Sequence, residues 1–194
     1  MKDPNLNDHE IWQNLINGDQ QAFEHIYRHH IDRLLKYGLR FCSDANLVED
    51  SLHDLFADLW KNRRTLGLTD SIIRYLMKSL RRRIIRNLSK EKLLTQNPVP
   101  ESIRFEAELA IDQQIIVKEK DRDLKKKMAI AFIKLSDRQR EALYLKFYQN
   151  MDYEDICEIM EINYQSARNL VFRAIQTLRD LIISIVICGI LSLF

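Results

Sequence analysis

The sequence predicts an all-α protein made of two small helical domains, an N-terminal helical bundle and a C-terminal helix-turn-helix, joined by a flexible linker. Three observations carry this. Glycine and proline are scarce, four and three among 194 residues, while the residues that favour helices are abundant. Apolar residues recur three and four apart along most of the chain, with few strand-like alternations. Charge is unevenly divided. The net charge is +2, but it is −6 over residues 1–60, +9 over 61–92, −3 over 93–123 and +2 over 124–194. A block of +9 in 32 residues is the electrostatic footprint of a polyanion partner, although a solvated helix face would carry the same charges.

The first helix is expected over Glu10 to Asn17, with Ile11, Trp12, Leu15 and Ile16 on one face, and Gly18-Asp19 ends it. A second runs from Gln20 to Phe41 on a stripe of Ala22, Phe23, Ile26, Tyr27, Ile31, Leu34 and Leu35. His25 and His29 lie four apart, a spacing that can share a metal, but no third ligand follows. After a turn at 42–46, Leu47 to Asn62 is amphipathic, with Val48, Leu52, Leu55, Phe56 and Leu59 able to pack and Asp50, His53, Asp54 and Asp58 on an acidic flank. Residues 62–71 read as a loop. Ile72 to Lys92 is the basic helix: Ile73, Leu76, Met77, Leu80, Ile84 and Leu88 form its inner stripe, surrounded by Arg74, Lys78, Arg81, Arg82, Arg83, Arg86 and Lys90. Tyr75 sits among these cations, and an aromatic ring beside cations suits single-stranded DNA, stacking bases while the cations hold phosphates.

Asn97-Pro98-Val99-Pro100 stops this helix, and an acidic run (Glu101, Glu106, Glu108, Asp112) marks a linker over 93–123. Leu109 to Met128 is expected to be helical and to lead into the second domain. There Ser136 and Gln139 form a capping box, and Ala142, Leu143, Leu145, Lys146 and Phe147 continue an amphipathic helix. Asp152 caps the next helix, whose apolar face is Ile156, Ile159 and Met160. Glu161-Ile162-Asn163 breaks the chain, and Asn163 caps a longer helix in which Ala167, Leu170, Val171, Ala174 and Leu178 face a core. Its other face shows Gln165, Arg168, Asn169, Phe172, Arg173 and Gln176. Short helix, tight turn and longer helix with a polar-basic face is the helix-turn-helix layout, whose second helix enters the major groove. An ordinary helical hairpin would show the same periodicity, and Glu161 stands where such turns often carry glycine. Residues 181–194, LIISIVICGILSLF, carry no charge. They fall short of the roughly 20 apolar residues that span a membrane, so the tail is expected to fold back or to fill a partner groove.

The run LSDRQREALYLKFYQNMDYEDICEIMEINYQSARNLVFRAIQTLRDL resembles the C-terminal promoter-reading domain of bacterial RNA polymerase sigma factors. The resemblance is to the extracytoplasmic-function (ECF) type, Bacteroidetes-like, which keeps two of the sigma domains. Upstream, VEDSLHDLFADLW is similar to the signature helix of the sigma N-terminal domain, with His53 where glutamine is usual. The resemblance covers roughly residues 10–92 and 126–180. It implies a sigma N-terminal domain over 1–92, an acidic linker over 93–123, a helix-turn-helix domain over 124–180 and an apolar tail over 181–194.

Its functional implications are specific. Asp50, His53, Asp54, Phe56 and Trp60 would dock on the clamp helices of the largest subunit of core RNA polymerase, and the flap would be a further contact. Arg63 and Arg64 fall in a loop, Arg63 to Ser71, that would capture a base flipped from the melted −10 element. Arg74, Tyr75, Lys78, Arg81, Arg82, Arg83 and Arg86 would grip the DNA beside it. Gln165, Arg168, Asn169, Phe172 and Arg173 would meet the −35 duplex. The linker would thread the polymerase cleft. An anti-sigma factor or another recruiting regulator is the expected further partner. A stand-alone helix-turn-helix regulator is the alternative, but it leaves the acidic signature helix without a purpose. No Gly-rich phosphate loop, Ser/His/Asp or Cys/His set, or paired apolar carboxylates suggest an enzyme, a cofactor or a metal. Cys42, Cys157 and Cys188 lack disulfide spacing and the N-terminus is polar, so a cytoplasmic protein without a membrane span is expected.

Overall fold

A computed structural model describes residues 8–42, 44–95, 105 and 132–191. Every regular element among them is helical, and the chain divides between residues 103 and 104 into two compact units. The acidic run of the linker and the helix expected over 109–128 lie outside the described residues.

In the first unit, α1 (Asp8–Ile16) buries Ile11, Trp12 and Leu15 along one face. It stops because Gly18 takes a φ of +91°, a conformation that costs a residue with a Cβ. Asp19 then caps α2 (Gln20–Gly38), accepting from the Gln21 N–H at 2.8 Å. α3 (Ala45–Lys61) starts on Asp44, whose carboxylate accepts from the N–H groups of Asn46 and Leu47 at 3.0 and 3.2 Å. A 3₁₀ turn, Arg63–Thr65, follows, and after an irregular stretch α4 (Ile72–Thr95) packs on α2 and α3. Gly38 allows the close crossing: a methyl group there would sit 2.5 Å from Cγ1 of Val48 and 3.2 Å from Cδ1 of Ile84.

The core holds Trp12, Ile26, Leu34 and Tyr37 with the expected face of α3, Val48, Leu52, Leu55, Phe56 and Leu59. In α4 the buried stripe is Ile72, Leu76, Met77, Leu80 and Ile84, whereas Ile73 and Leu88 are half-buried. Steps of four set this stripe, and Ile73 lies about 100° around the helix from Ile72.

His30 is a histidine buried in this core. It is 7% exposed, and burial, with the neighbouring His29, lowers its pKa from 6.5 to about 4. The unfolded chain therefore takes up this proton at a higher pH than the folded one. Stability is full above pH 6.5 and falls as pH drops from 6.5 to 4, by about 3 kcal/mol from this group. Urea midpoints at pH 7 and pH 4.5 should show that loss, and His30→Phe should lose less between the same two values; an equal loss in both proteins would refute the assignment.

In the second unit, α5 (Asp137–Leu143) opens on the expected capping box. Gln139 N–H donates to Ser136 Oγ at 3.3 Å, and Ser136 N–H donates to Gln139 Oε1 at 2.9 Å. The predicted continuous α-helix is corrected here. From Tyr144 to Tyr148 the chain makes a π turn, closed by Gln149 N–H on the Tyr144 carbonyl at 3.0 Å. The wider turn buries Tyr144 and Leu145 but carries Phe147 outward, 65% exposed. Asn150, at φ 53°, and the bond from Lys146 Nζ to the Met151 carbonyl at 3.1 Å end it. Phe105, from the segment read as linker, is buried in this unit: its N–H donates to Asp137 Oδ1 at 2.8 Å and its ring meets Tyr144 edge-on at 5.6 Å.

Asp152 caps α6 (Tyr153–Met160) through the Asp155 N–H at 2.8 Å. Glu161 turns the chain in the left-handed region, φ 56° and ψ 53°, and its N–H reaches the Cys157 carbonyl. A Cβ makes that conformation cost about 1–2 kcal/mol, so the turn forms without the expected glycine because the packing of α6 on α7 offsets it. Asn163 then caps α7 (Tyr164–Leu191), its Oδ1 accepting from the Ser166 N–H at 2.8 Å. α7 runs on to Leu191, so the apolar segment after Asp180 continues the second helix of the motif. Among the described residues no helix is long and apolar enough to cross a membrane.

Candidate nucleic-acid interface

Three of the inward residues foreseen for α7, Ala167, Val171 and Ala174, are buried, while Leu170 and Leu178 are half-buried. One helical face being fixed against α5 and α6, the other must point out. Gln165, Arg168, Asn169, Phe172 and Arg173 are all exposed, Phe172 by 60%. Gln165 Nε2 donates to Asn169 Oδ1 at 3.3 Å, which orients the Asn169 amide along the helix. Beside this face lies a hollow of about 270 Å³ lined by Arg138, Ile162, Ser166, Asn169, Leu170 and Arg173. Two guanidinium groups, a hydroxyl and an amide around one hollow suit an anion of phosphate size. Arg138 is exposed in the first turn of α5 and was missed in the sequence reading. Its position inside the capping box, on the helix preceding the motif, was the available signal.

The basic helix is more selective than its charge suggests. Arg82 and Arg86 are exposed, and Lys78 and Arg81 half-buried. Arg83 is only 17% exposed and lies across α3, bonded to Asp54 at 3.3 Å and to Asp58. Its cation is already paired with two carboxylates and clamps α3 to α4, whereas the expected grip on phosphate would require it to leave them. Arg74 is similarly drawn to Asp70. Tyr75, expected as a stacking platform, is half-buried with its ring packed edge-on against Trp12 at 4.8 Å. Arg63 lies over the Trp60 ring at 4.1 Å and donates to the Trp60 carbonyl at 2.6 Å, while Arg64 is exposed.

On α3, Asp50, His53, Asp54 and Asp58 form an exposed acidic strip. Phe56, expected among the polymerase contacts, is 3% exposed and packs edge-on against Tyr27 at 4.8 Å. It points into the core because it falls on the Leu52–Leu55–Leu59 face, so it supports that surface from beneath. Trp60 is half-buried against Phe23 at 5.2 Å. The structure thus brings Asp54 and Arg83 together, two residues assigned to different partners by sequence.

His25 and His29 are exposed with their rings stacked at 5.7 Å. Among the described residues no group of three or more His, Cys, Asp or Glu side chains comes together as a metal site. The Cys157 thiol is pushed up in pKa by burial and by Glu154 and Asp152, the opposite of an activated nucleophile.

Residues 26–93 match the family model for sigma-70 region 2, and residues 131–178 that for sigma-70, region 4. A search of curated proteins gave no match. Among solved structures the chain is similar to CnrH, in complex with the cytosolic domain of CnrY, with 16% identity, a TM-score of 0.59 and coverage of 91% of this chain and 97% of that one. It is also similar to the sigma factor RpoE from Bartonella quintana, in complex with the anti-sigma factor NepR, with 21% identity, a TM-score of 0.60 and coverage of 84% and 97%. At these identities the likeness speaks to the all-α fold. The two matched regions together cover more than half of the chain, which belongs to the sigma-70 family: it is a sigma factor for promoter-specific transcription, carrying regions 2 and 4 as the ECF type does.

Proposed function

We propose that this sigma factor docks core RNA polymerase through the acidic strip of α3, on the clamp helices of the largest subunit, with the flap as a second contact. In that complex α7 reads the −35 duplex, and the 63–71 loop with α4 melts and captures the −10 strand. The observation that carries the reading is the outward set of α7. Arg168 and Asn169 can each pair twice with one base edge, and Arg138 and Arg173 flank a hollow suited to a backbone phosphate. Phe172 is free to meet a thymine methyl or a sugar. The work is done in the cytoplasm and by binding alone, and an anti-sigma factor or other recruiting protein governs access to the polymerase. Structural relatives captured with CnrY and with the anti-sigma factor NepR support that last point.

The test is reconstitution with core polymerase. The chain is expected to co-purify with core and to yield transcripts from defined start sites. Asp50→Lys should weaken core binding at least tenfold, about 1.4 kcal/mol or more, with helix content unchanged by circular dichroism. Specific binding of −35 duplex by a chain that never retains core would favour the stand-alone regulator instead.

A further inference from the structure

α1 lies outside both matched regions, and besides packing on α2 it makes two long-range hydrogen bonds at the 63–71 loop and its far end. Trp12 is fully buried, and its indole Nε1 donates to the Gly67 carbonyl at 2.8 Å, across 55 positions of sequence. Asp8 reaches the other end of the same loop, where its carboxylate accepts the Ile72 N–H at 2.9 Å, one of the orphan donors of α4. Gly18, in the turn that ends α1, sits over Arg63 at the start of the loop, with its Cβ position 3.5 Å from Arg63 Nε. α1 therefore bonds the loop at its middle and at its far end, and its closing turn lies close to the beginning.

The loop needs such support. Beyond the 3₁₀ turn it has no regular structure from Leu66 to Ser71, and Thr69 bonds only locally, with Ser71. What the loop presents lies outside: Arg64 is exposed, Leu68 is 70% exposed, and the Cβ position of Gly67 faces open space. A segment that binds a flexible single strand gains affinity when its own ordering cost is met beforehand. Trp12 is suited to this, because a rigid buried ring aims a single donor at one carbonyl.

We propose that α1 is a brace that pre-shapes the 63–71 loop for the melted promoter strand, with Trp12 and Asp8 as positioning residues that never touch DNA. This rests on the reading of the loop under Proposed function. The experiment uses the full chain assembled with core polymerase on a promoter carrying a fluorescent base analogue in the −10 element. Trp12→Phe keeps a ring and removes the donor; Asp8→Ala removes the acceptor, and Asp8→Asn keeps one. Expected are a fall in −10 opening of about five- to tenfold for Trp12→Phe and Asp8→Ala, the scale of one lost hydrogen bond with its ordering cost, and near-native opening for Asp8→Asn. Core affinity and −35 preference should stay within about twofold. A merely structural role would move stability without this split. Should Trp12→Phe lose cooperative melting, the Asp8 pair decides alone. The loop variant Arg64→Ala with Leu68→Ala separates the two ideas. If it lowers opening while Trp12→Phe and Asp8→Ala do not, the brace is wrong. If it leaves opening unchanged, the loop reading itself has failed and the brace falls with it.

Discussion

Arg168→Ala is expected to change which −35 sequences the protein prefers. A lost bidentate base contact costs about 1–3 kcal/mol, roughly five- to 150-fold, and only at the base it reads. Arg168 is exposed, about 90° around α7 from the buried stripe of Ala167, Val171 and Ala174, so the substitution leaves the core alone. Arg138→Ala and Arg173→Ala form the contrast. Both side chains flank the hollow beside α7 and are assigned to phosphate, so each should weaken all sequences alike and leave their ranking intact. Binding across a randomised −35 library distinguishes the outcomes. An unchanged preferred sequence for Arg168→Ala would mean that α7 docks without this residue reading bases.

The Arg82→Ala, Arg86→Ala double variant is expected to flatten the salt dependence of promoter binding by about two units of slope, near 0.9 per lost phosphate contact. Arg83→Ala should leave the slope unchanged. Its guanidinium already spans Asp54 and Asp58, and removing it places two carboxylates side by side with no cation between them. The carboxylates are 66% and 53% exposed, so screening keeps the stability loss to about 1 kcal/mol. The measurements are binding by the holoenzyme between 50 and 200 mM salt, and thermal melting of the isolated chain. A slope that falls with Arg83→Ala would return this residue to the DNA contacts and show that the clamp opens on binding.

Much of this was legible because helices write their contacts into short spacings. The stripe Val48–Leu52–Leu55–Leu59, the Ser136–Gln139 box and the Asn163 cap each depend on residues within a turn or two of each other. The outward face of α7 followed in the same way, by subtraction from its apolar stripe. That Phe56 is buried was not legible in the family motif, because a motif says which residues recur and not which way each one points. Phe147 went astray because a single π turn shifts the helical phase by one residue, and the apolar pattern alone does not announce it.

What the sequence determined by itself was the helical class, the order of the elements, the basic block and the face of α7 that meets solvent, all properties of local spacing and composition. Only the tertiary structure decided which charges remain available. Arg83 meets Asp54 across 29 positions, Trp12 meets Gly67 across 55, and Asp8 meets Ile72 across 64. No periodicity encodes such pairs, because they arise where separate helices cross, and whether a cation or a carbonyl is already satisfied depends on what that crossing brings beside it.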